Sequence, residues 1–266
     1  MNPAESRLGR AGDAGEFRWT SASRSHPGRV REVNEDACLE QPERGLWAVA
    51  DGMGGHSLGE FASRLAIRSL MDLPAPQSLA RYVAAAQERL QEANRRLRAE
   101  AARRDVPIIG TTIAALLASQ RHCACLWAGD SRIYLYRAGR LRQLTRDHSV
   151  LEAARSRHVA SLDDTLERPP ANLITRALGG ADTLELDDNT IEVVDGDVFL
   201  LCSDGLSNEV SDLAIAQALL PGNCRQASEA LLELALERGG RDNITAVVVR
   251  AEDLCSPDRT VMHPVL

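Results

Sequence analysis

Lysine is absent: all 31 basic residues among the 266 are arginine. That absence excludes imine chemistry on a lysine amine, the Walker-type phosphate loop and the phosphate-gripping lysine of kinases. Aromatic residues make up only 3% and the formal net charge is −7, so a nucleic-acid binder with a basic stripe and stacking platforms is not expected, nor is a binder of anionic membranes. No apolar run reaches the ~18 residues that span a bilayer. The first residues, Met1–Glu16, lack an apolar signal-peptide core, so the cytoplasm is the expected location. Six cysteines are scattered without a C-x-x-C pair, which argues against a zinc site, and a domain of this size needs no disulfide staples. Cys123, Cys125 and Cys202 sit in apolar runs and read as small core residues. G-x-S-x-G is also missing, so Ser131, after Gly129-Asp130, is not expected to be a hydrolase nucleophile.

What is present points to a soluble α+β protein. Hydrophobic residues are 44% of the chain, enough for a sizeable core, and no internal linker or repeat divides it. Residues 1–16 read as a flexible arm, 17–251 as one domain and 252–266 as a tail. Gly45–Ala50 is a buried strand running into the glycine-rich turn Asp51–Gly55. Ser57-x-x-Glu60 has the form of a capping box, opening a helix with Leu58, Phe61, Ala62, Leu65, Ala66 and Leu70 on one face. From Leu79 to Ala101, apolar residues recur at steps of four and three, a second helix. Strands are expected over Thr111–Ala118 and Cys123–Ala128, and a hairpin over Arg132–Leu144 with Ile133 and Leu135 facing away from Tyr134 and Tyr136. Asp147–Pro170 reads as a flap (about 148–175 at its widest). Val198–Cys202 and Ile244–Val249 are further strands, with helices near Ser211–Leu220 and Arg225–Arg238. Runs of strands and helices, rather than strict alternation, favour antiparallel sheets.

Acids recur at the ends of these strands: Ala50-Asp51-Gly52, Gly129-Asp130-Ser131, Ser203-Asp204-Gly205 and Arg241-Asp242-Asn243, with Glu35-Asp36 earlier. A single Asp-Gly after a strand is usually a turn. Carboxylates gathered at one rim repel each other and persist where a cation neutralises them, and an all-oxygen set suits Mg²⁺ or Mn²⁺ rather than zinc. Periodicity alone does not say whether these ends converge.

Eight segments in order carry a resemblance. They are Gly28-Arg29-Val30-Arg31-Glu32-Val33-Asn34-Glu35-Asp36, Ala50-Asp51-Gly52-Met53-Gly54-Gly55-His56, Gly110-Thr111-Thr112, Gly129-Asp130-Ser131-Arg132, Leu144-Thr145-Arg146-Asp147-His148-Ser149, Ile174-Thr175-Arg176-Ala177-Leu178-Gly179, Ser203-Asp204-Gly205-Leu206 and Asp242-Asn243-Ile244-Thr245. Together they resemble the metal-dependent Ser/Thr protein phosphatases (the PPM or protein phosphatase 2C type) in compact bacterial form, from about Phe17 to Arg250. The resemblance implies a sandwich of two antiparallel β-sheets flanked by pairs of antiparallel α-helices, with metals at one end. It implies that Asp51 bridges two Mn²⁺ or Mg²⁺ ions, that Asp204 and Asp242 complete the first site, and that Glu35 and the Gly52 carbonyl hold the second. Asp130, with Asp204, corresponds to a weaker third site, and Asp36 to an acceptor that orients water at the metals. Arg31 is expected to grip phosphate, and His56 to protonate the leaving alkoxide. The expected substrates are phosphorylated proteins, opposed by a Ser/Thr kinase, and a monomer is expected. Ser156–Pro170 departs from the family pattern.

Overall fold

Residues that are apolar without alternation need cover on both faces, and such runs in this chain form the interior strands of two sheets. The computed structural model describes residues 17–54, 57–74, 77–156, 173–220 and 223–254. Its strands are β1 (Phe17–His26), β2 (Asp36–Gln41), β3 (Leu46–Met53), β4 (Gly110–Thr111), β5 (Ile113–Ser119), β6 (His122–Ala128), β7 (Arg132–Arg137), β8 (Arg140–Gln143), β9 (Asp187–Glu192), β10 (Val198–Cys202) and β11 (Ile244–Asp253). Its helices are α1 (Ser57–Met71), α2 (Leu79–Arg104), α3 (Val150–Ser156), α4 (Asp204–Ser207), α5 (Asp212–Leu219) and α6 (Cys224–Glu237).

One sheet runs β1-β11-β10-β7-β8 and the other β2-β3-β5-β6-β9, with the short β4 against the end of β3. All strand pairs among the described residues are antiparallel. β3, β5, β6 and β10, which hold uninterrupted apolar runs, are interior strands, whereas the polar β8 and β9 lie on edges, where exposed charge discourages pairing with another chain.

Three apolar layers separate the four structural ones. Between the sheets lie Trp47, Val49, Leu116, Ile133, Leu135, Phe199, Leu201, Val247 and Val249. The opposite face of the β3 sheet meets α1 and α2 through Leu46, Leu65, Leu70, Leu90, Leu97 and Leu117. The opposite face of the β10 sheet meets α5 and α6 through Tyr134, Leu200, Ile215, Leu219, Leu231 and Val248. Ile133 and Leu135 therefore point between the sheets while Tyr134 points at helices, as the alternation implies. Cys123, Cys125 and Cys202 are buried free thiols, their pKa values raised by burial.

The structure adds to the sequence reading and corrects it in places. β1, β2 and β9 have too many polar residues to announce themselves. Phe61, expected on the buried face of α1, is 38% exposed. The expected flap opens with a helix, α3, and most of Ser156–Pro170 lies outside the described residues. So does the arm 1–16 and most of the tail. Among the described residues no helix is long and apolar enough to cross a membrane.

Candidate metal centre

β2 and β3 pair in a register that sets Asp36 directly opposite Asp51. On the neighbouring sheet, β10 ends at Cys202, and Ser203 caps α4, whose first residue is Asp204. Asp242 and Asn243 lead into β11, and Asp130 occupies the turn between β6 and β7. These ends meet. The Asp51 carboxyl is raised well above its ordinary range by burial and then by Asp36, Asp204, Asp130 and Asp242, all of which reach it electrostatically. Asp204 is raised by burial and Asp242, and partly relieved by a hydrogen bond from the Asp51 carboxyl. A Cβ placed on Gly205 would stand 3.4 Å from the Asp242 Cβ.

Uncharged neighbours fix the rim. The Asp51 N–H donates to Thr112 Oγ1 (2.9 Å), Thr111 Oγ1 donates to the Asp51 carbonyl (2.9 Å), and the Thr112 and Ser131 hydroxyls share a buried hydrogen bond (2.7 Å). Ser131 is thereby held inside the fold at 1% exposure, a structural hydroxyl and not a nucleophile. Asn243 is the hub of the opposite side: its Oδ1 accepts from the Glu35 N–H (2.8 Å), and its Nδ2 donates to the carbonyls of Pro27 (3.0 Å) and Val33 (2.9 Å). Glu35 Oε1 accepts from the Gly59 N–H at 3.2 Å. Gly59 is needed there, because a Cβ would come within 2.5 Å of Glu35 Oε1, and one on Gly52 within 2.1 Å of the Gly59 carbonyl. The start of α1 is thus packed directly on Glu35 and Gly52.

The electrostatics suit a cation. Burial, with the charge of Asp204 adding to it, pushes Asp36 and Asp130 up to about 7, after the Thr245 and Ser203 hydroxyls have partly offset the effect at Asp36. Glu35 is also raised, chiefly by burial. Ser203 Oγ donates to Asp36 Oδ2 at 2.7 Å, while Asp36 Oδ1 is buried with no hydrogen-bond partner. A buried acceptor without a donor is costly unless water or an ion completes it. An orphaned carboxylate oxygen, a cluster of acids driven toward neutrality and a wholly oxygen donor set all fit hard divalent ions. Among the described residues no group of three or more His, Cys, Asp or Glu side chains stands close enough together to hold an ion as the side chains lie.

Arg31 stands at the mouth, 56% exposed, with Nη2 donating to Asp242 Oδ2 at 2.9 Å. Of the predicted site residues, Glu35, Asp36, Asp51, Gly52, Asp130, Asp204, Asp242 and Arg31 come to this one end, and His56 lies outside the described residues. Sequence reasoning assigned no role to Thr112, Ser203, Gly59 or Asn243, although all but Gly59 lie inside the motifs that were singled out.

Two antiparallel sheets between helix layers, with acids from both sheets at one end, define the architecture of metal-dependent phosphatases. The family model described as "Protein phosphatase 2C" matches residues 24–237, and the chain belongs to that family. It is 36% identical over 233 residues to the serine/threonine protein phosphatase PstP of Mycobacterium tuberculosis, spanning 87% of this chain and 45% of that protein, so less than half of that relative's length is represented here. The serine/threonine phosphatase stp of Listeria innocua is 32% identical, over 85% of this chain and 93% of its own length. Among solved structures, PppA, described as a key regulatory component of T6SS in Pseudomonas aeruginosa, superposes with a TM-score of 0.83 at 44% identity, covering 89% of this chain and 100% of that one. The catalytic domain of PstP in complex with two manganese ions superposes with a TM-score of 0.79 at 36% identity, covering 90% and 100%.

Proposed function

We propose that this chain hydrolyses phosphoserine and phosphothreonine monoesters on proteins, using two Mn²⁺ or Mg²⁺ ions held by Asp51, Asp204 and Asp242 on one side and Asp51, Glu35 and the Gly52 carbonyl on the other. The observation that carries the reading is the convergence of Asp36, Asp130, Asp204 and Asp242 on Asp51, acids from distant stretches of chain gathered at one rim. Bound there, the two cations supply a water of lowered pKa and neutralise phosphate charge. Asp36, anchored through Oδ2 by Ser203, has Oδ1 left to accept a hydrogen bond and would orient a water at the rim. Arg31 takes two phosphate oxygens with its planar fork and meets the charge that builds in the transition state. Asp242 accepts from Arg31 Nη2 at 2.9 Å, which keeps the guanidinium at the rim. His56 is the proposed proton donor to the serine or threonine alkoxide, and Asp130 with Asp204 is the proposed third, weaker cation position.

The bacterial relatives, named as serine/threonine phosphatases, support a phosphorylated protein as the substrate, and we propose in addition a cytoplasmic monomer that opposes a Ser/Thr kinase. The test is turnover of p-nitrophenyl phosphate and of a phosphothreonine peptide with Mn²⁺, before and after chelation. Metal-dependent release of phosphate from both is expected. A folded sample with no metal-dependent turnover on either would overturn the reading.

A further inference from the structure

His148 belongs to a motif that the reaction leaves without a role, yet it is 8% exposed and every polar atom it has is engaged. Its N–H donates to the Gly129 carbonyl (2.9 Å), and its ring Nδ1 accepts from the Gly129 N–H (3.2 Å). One residue thus grips both polar groups of the glycine that precedes Asp130. Because Nδ1 accepts, Nε2 carries the proton and donates to Asp187 Oδ2 at 3.2 Å, and Asp187 is in turn held by Arg176 Nη1 at 2.7 Å. The ring stacks on Trp127 with centroids 6.1 Å apart and planes 17° from parallel. Trp127 is itself pinned, its Nε1 donating to the Arg146 carbonyl at 2.8 Å. Burial lowers the His148 pKa, which keeps the ring neutral and Nδ1 free to accept.

Gly129 is confined from the other side as well. Its φ is +112°, and a Cβ would stand 2.6 Å from Thr112 Cγ2. Thr112 is the residue that holds the Asp51 N–H. The turn bearing Asp130 is therefore clamped between the support of Asp51 and the ring of His148. The His148 carbonyl also accepts from the Thr175 N–H at 2.7 Å, tying the clamp to the segment 173–178.

We propose that His148 is a positioning residue: by fixing the Gly129 peptide, it sets where the Asp130 carboxylate stands and so sets the affinity of the third cation position. The inference rests on the reading of Asp130 as that position's carboxylate.

Two substitutions separate the halves of the ring. His148→Asn places an amide oxygen where Nδ1 was and keeps an acceptor for Gly129; His148→Gln places an amide nitrogen where Nε2 was and serves Asp187 alone. Calorimetric titration of the full chain with Mn²⁺ reads each site. The weakest site should loosen about tenfold or more in His148→Gln, as when a supporting hydrogen bond behind a metal ligand is lost, while the two tight sites stay within about threefold. His148→Asn should hold the weak site near its original affinity. Equal loss in both variants, or loss at all sites together, would overturn the assignment, since a merely structural ring predicts both. Should His148→Gln fail to fold, Asp187→Ala frees the ring from its outer anchor, and an unchanged weak site there overturns it too. A parent protein that takes up only two manganese equivalents while remaining an active phosphatase would remove this inference and leave the two-metal reading standing. One that binds no manganese would remove both.

Discussion

Asp51 is the residue on which the largest number of separate observations meet, and its acidity is the reason. Four other aspartates raise its pKa, so replacing it or Asp242 with the isosteric amide relieves repulsion while deleting a hard oxygen ligand. Asp51→Asn and Asp242→Asn should each abolish Mn²⁺-dependent turnover of p-nitrophenyl phosphate and leave the metal-free thermal midpoint unchanged or higher. Near-full rates in either would break the ligand assignment. Arg31 is a different case. It is 56% exposed and contributes little packing, so Arg31→Ala should leave the melting temperature nearly unchanged. Turnover should fall on the order of 10²–10³-fold, the loss typical of one charge-stabilising donor. A large fall in thermal midpoint with unchanged kcat would make Arg31 structural. Asp51 and Asp204 were legible in the sequence because an apolar run meeting Asp-Gly is a local pattern, whereas Glu35, Asp36, Asp130 and Asp242 took their roles from the family resemblance. Their supports were not: a threonine such as Thr112 or an asparagine such as Asn243 looks like any turn residue until its partners, far away in sequence, are known.

At the level of the elements, strands with both faces covered were readable and edge strands were not. Val198–Cys202 is apolar at every position, whereas β9, Asp-Asp-Asn-Thr-Ile-Glu, presents one face to solvent and reads as a loop. Even so β9 supplies Asp187, the anchor of His148. The 3.6-residue periodicity of α1 located the helix and misassigned Phe61, because a regular stripe says which residues share a face and not how wide the neighbouring element is. The link from α1 to the centre also escaped the pattern, since it runs through a glycine. Gly59→Ala should force Glu35 away, because the new Cβ would lie 2.5 Å from Glu35 Oε1. Alanine is the better helix former, so propensity alone favours the variant by about 1 kcal/mol. The expected outcome is therefore specific: weaker Mn²⁺ binding and a higher Mn²⁺ requirement for activity, without unfolding. Unchanged manganese affinity would mean that Glu35 is not a ligand. Asn243→Ala should cost more stability, about 1–3 kcal/mol for each buried group left unpaired, because it releases the Glu35 N–H and two carbonyls at once.

On the scale of the molecule, the order of strands and helices pointed to antiparallel sheets, the family resemblance implied the sandwich, and the way the two sheets face each other makes the site. Local periods of 2.0 and 3.6 residues fix which side chains are buried, but the meeting of Asp36, Asp51, Asp204 and Asp242 depends on how two sheets face each other. The cost of that meeting is a molecule under electrostatic strain at one end, and pH should expose it. Asp36 and Asp130 have folded-state pKa values of about 7, and Asp51, Asp204 and Glu35 are raised as well, all above the values these groups take in an unfolded chain. A carboxyl with a raised folded pKa holds its proton in the native state after the unfolded chain has released it. Its stabilising contribution is complete below its unfolded pKa and disappears as pH climbs through the folded one. His148, lowered by burial, works in the opposite direction and loses stability as pH falls, but it is one group against five. Metal-free protein should accordingly melt at a higher temperature near pH 5.5 than near pH 8. Mn²⁺ binds the ionised acids of the folded state, so its stabilisation should grow with pH and recover the midpoint at pH 8, by about 2.7 kcal/mol at a hundredfold excess over the dissociation constant. A chelated sample whose melting temperature rises from pH 5.5 to pH 8, or one that Mn²⁺ stabilises no better at pH 8 than at pH 5.5, would mean that these carboxylates do not share one pocket.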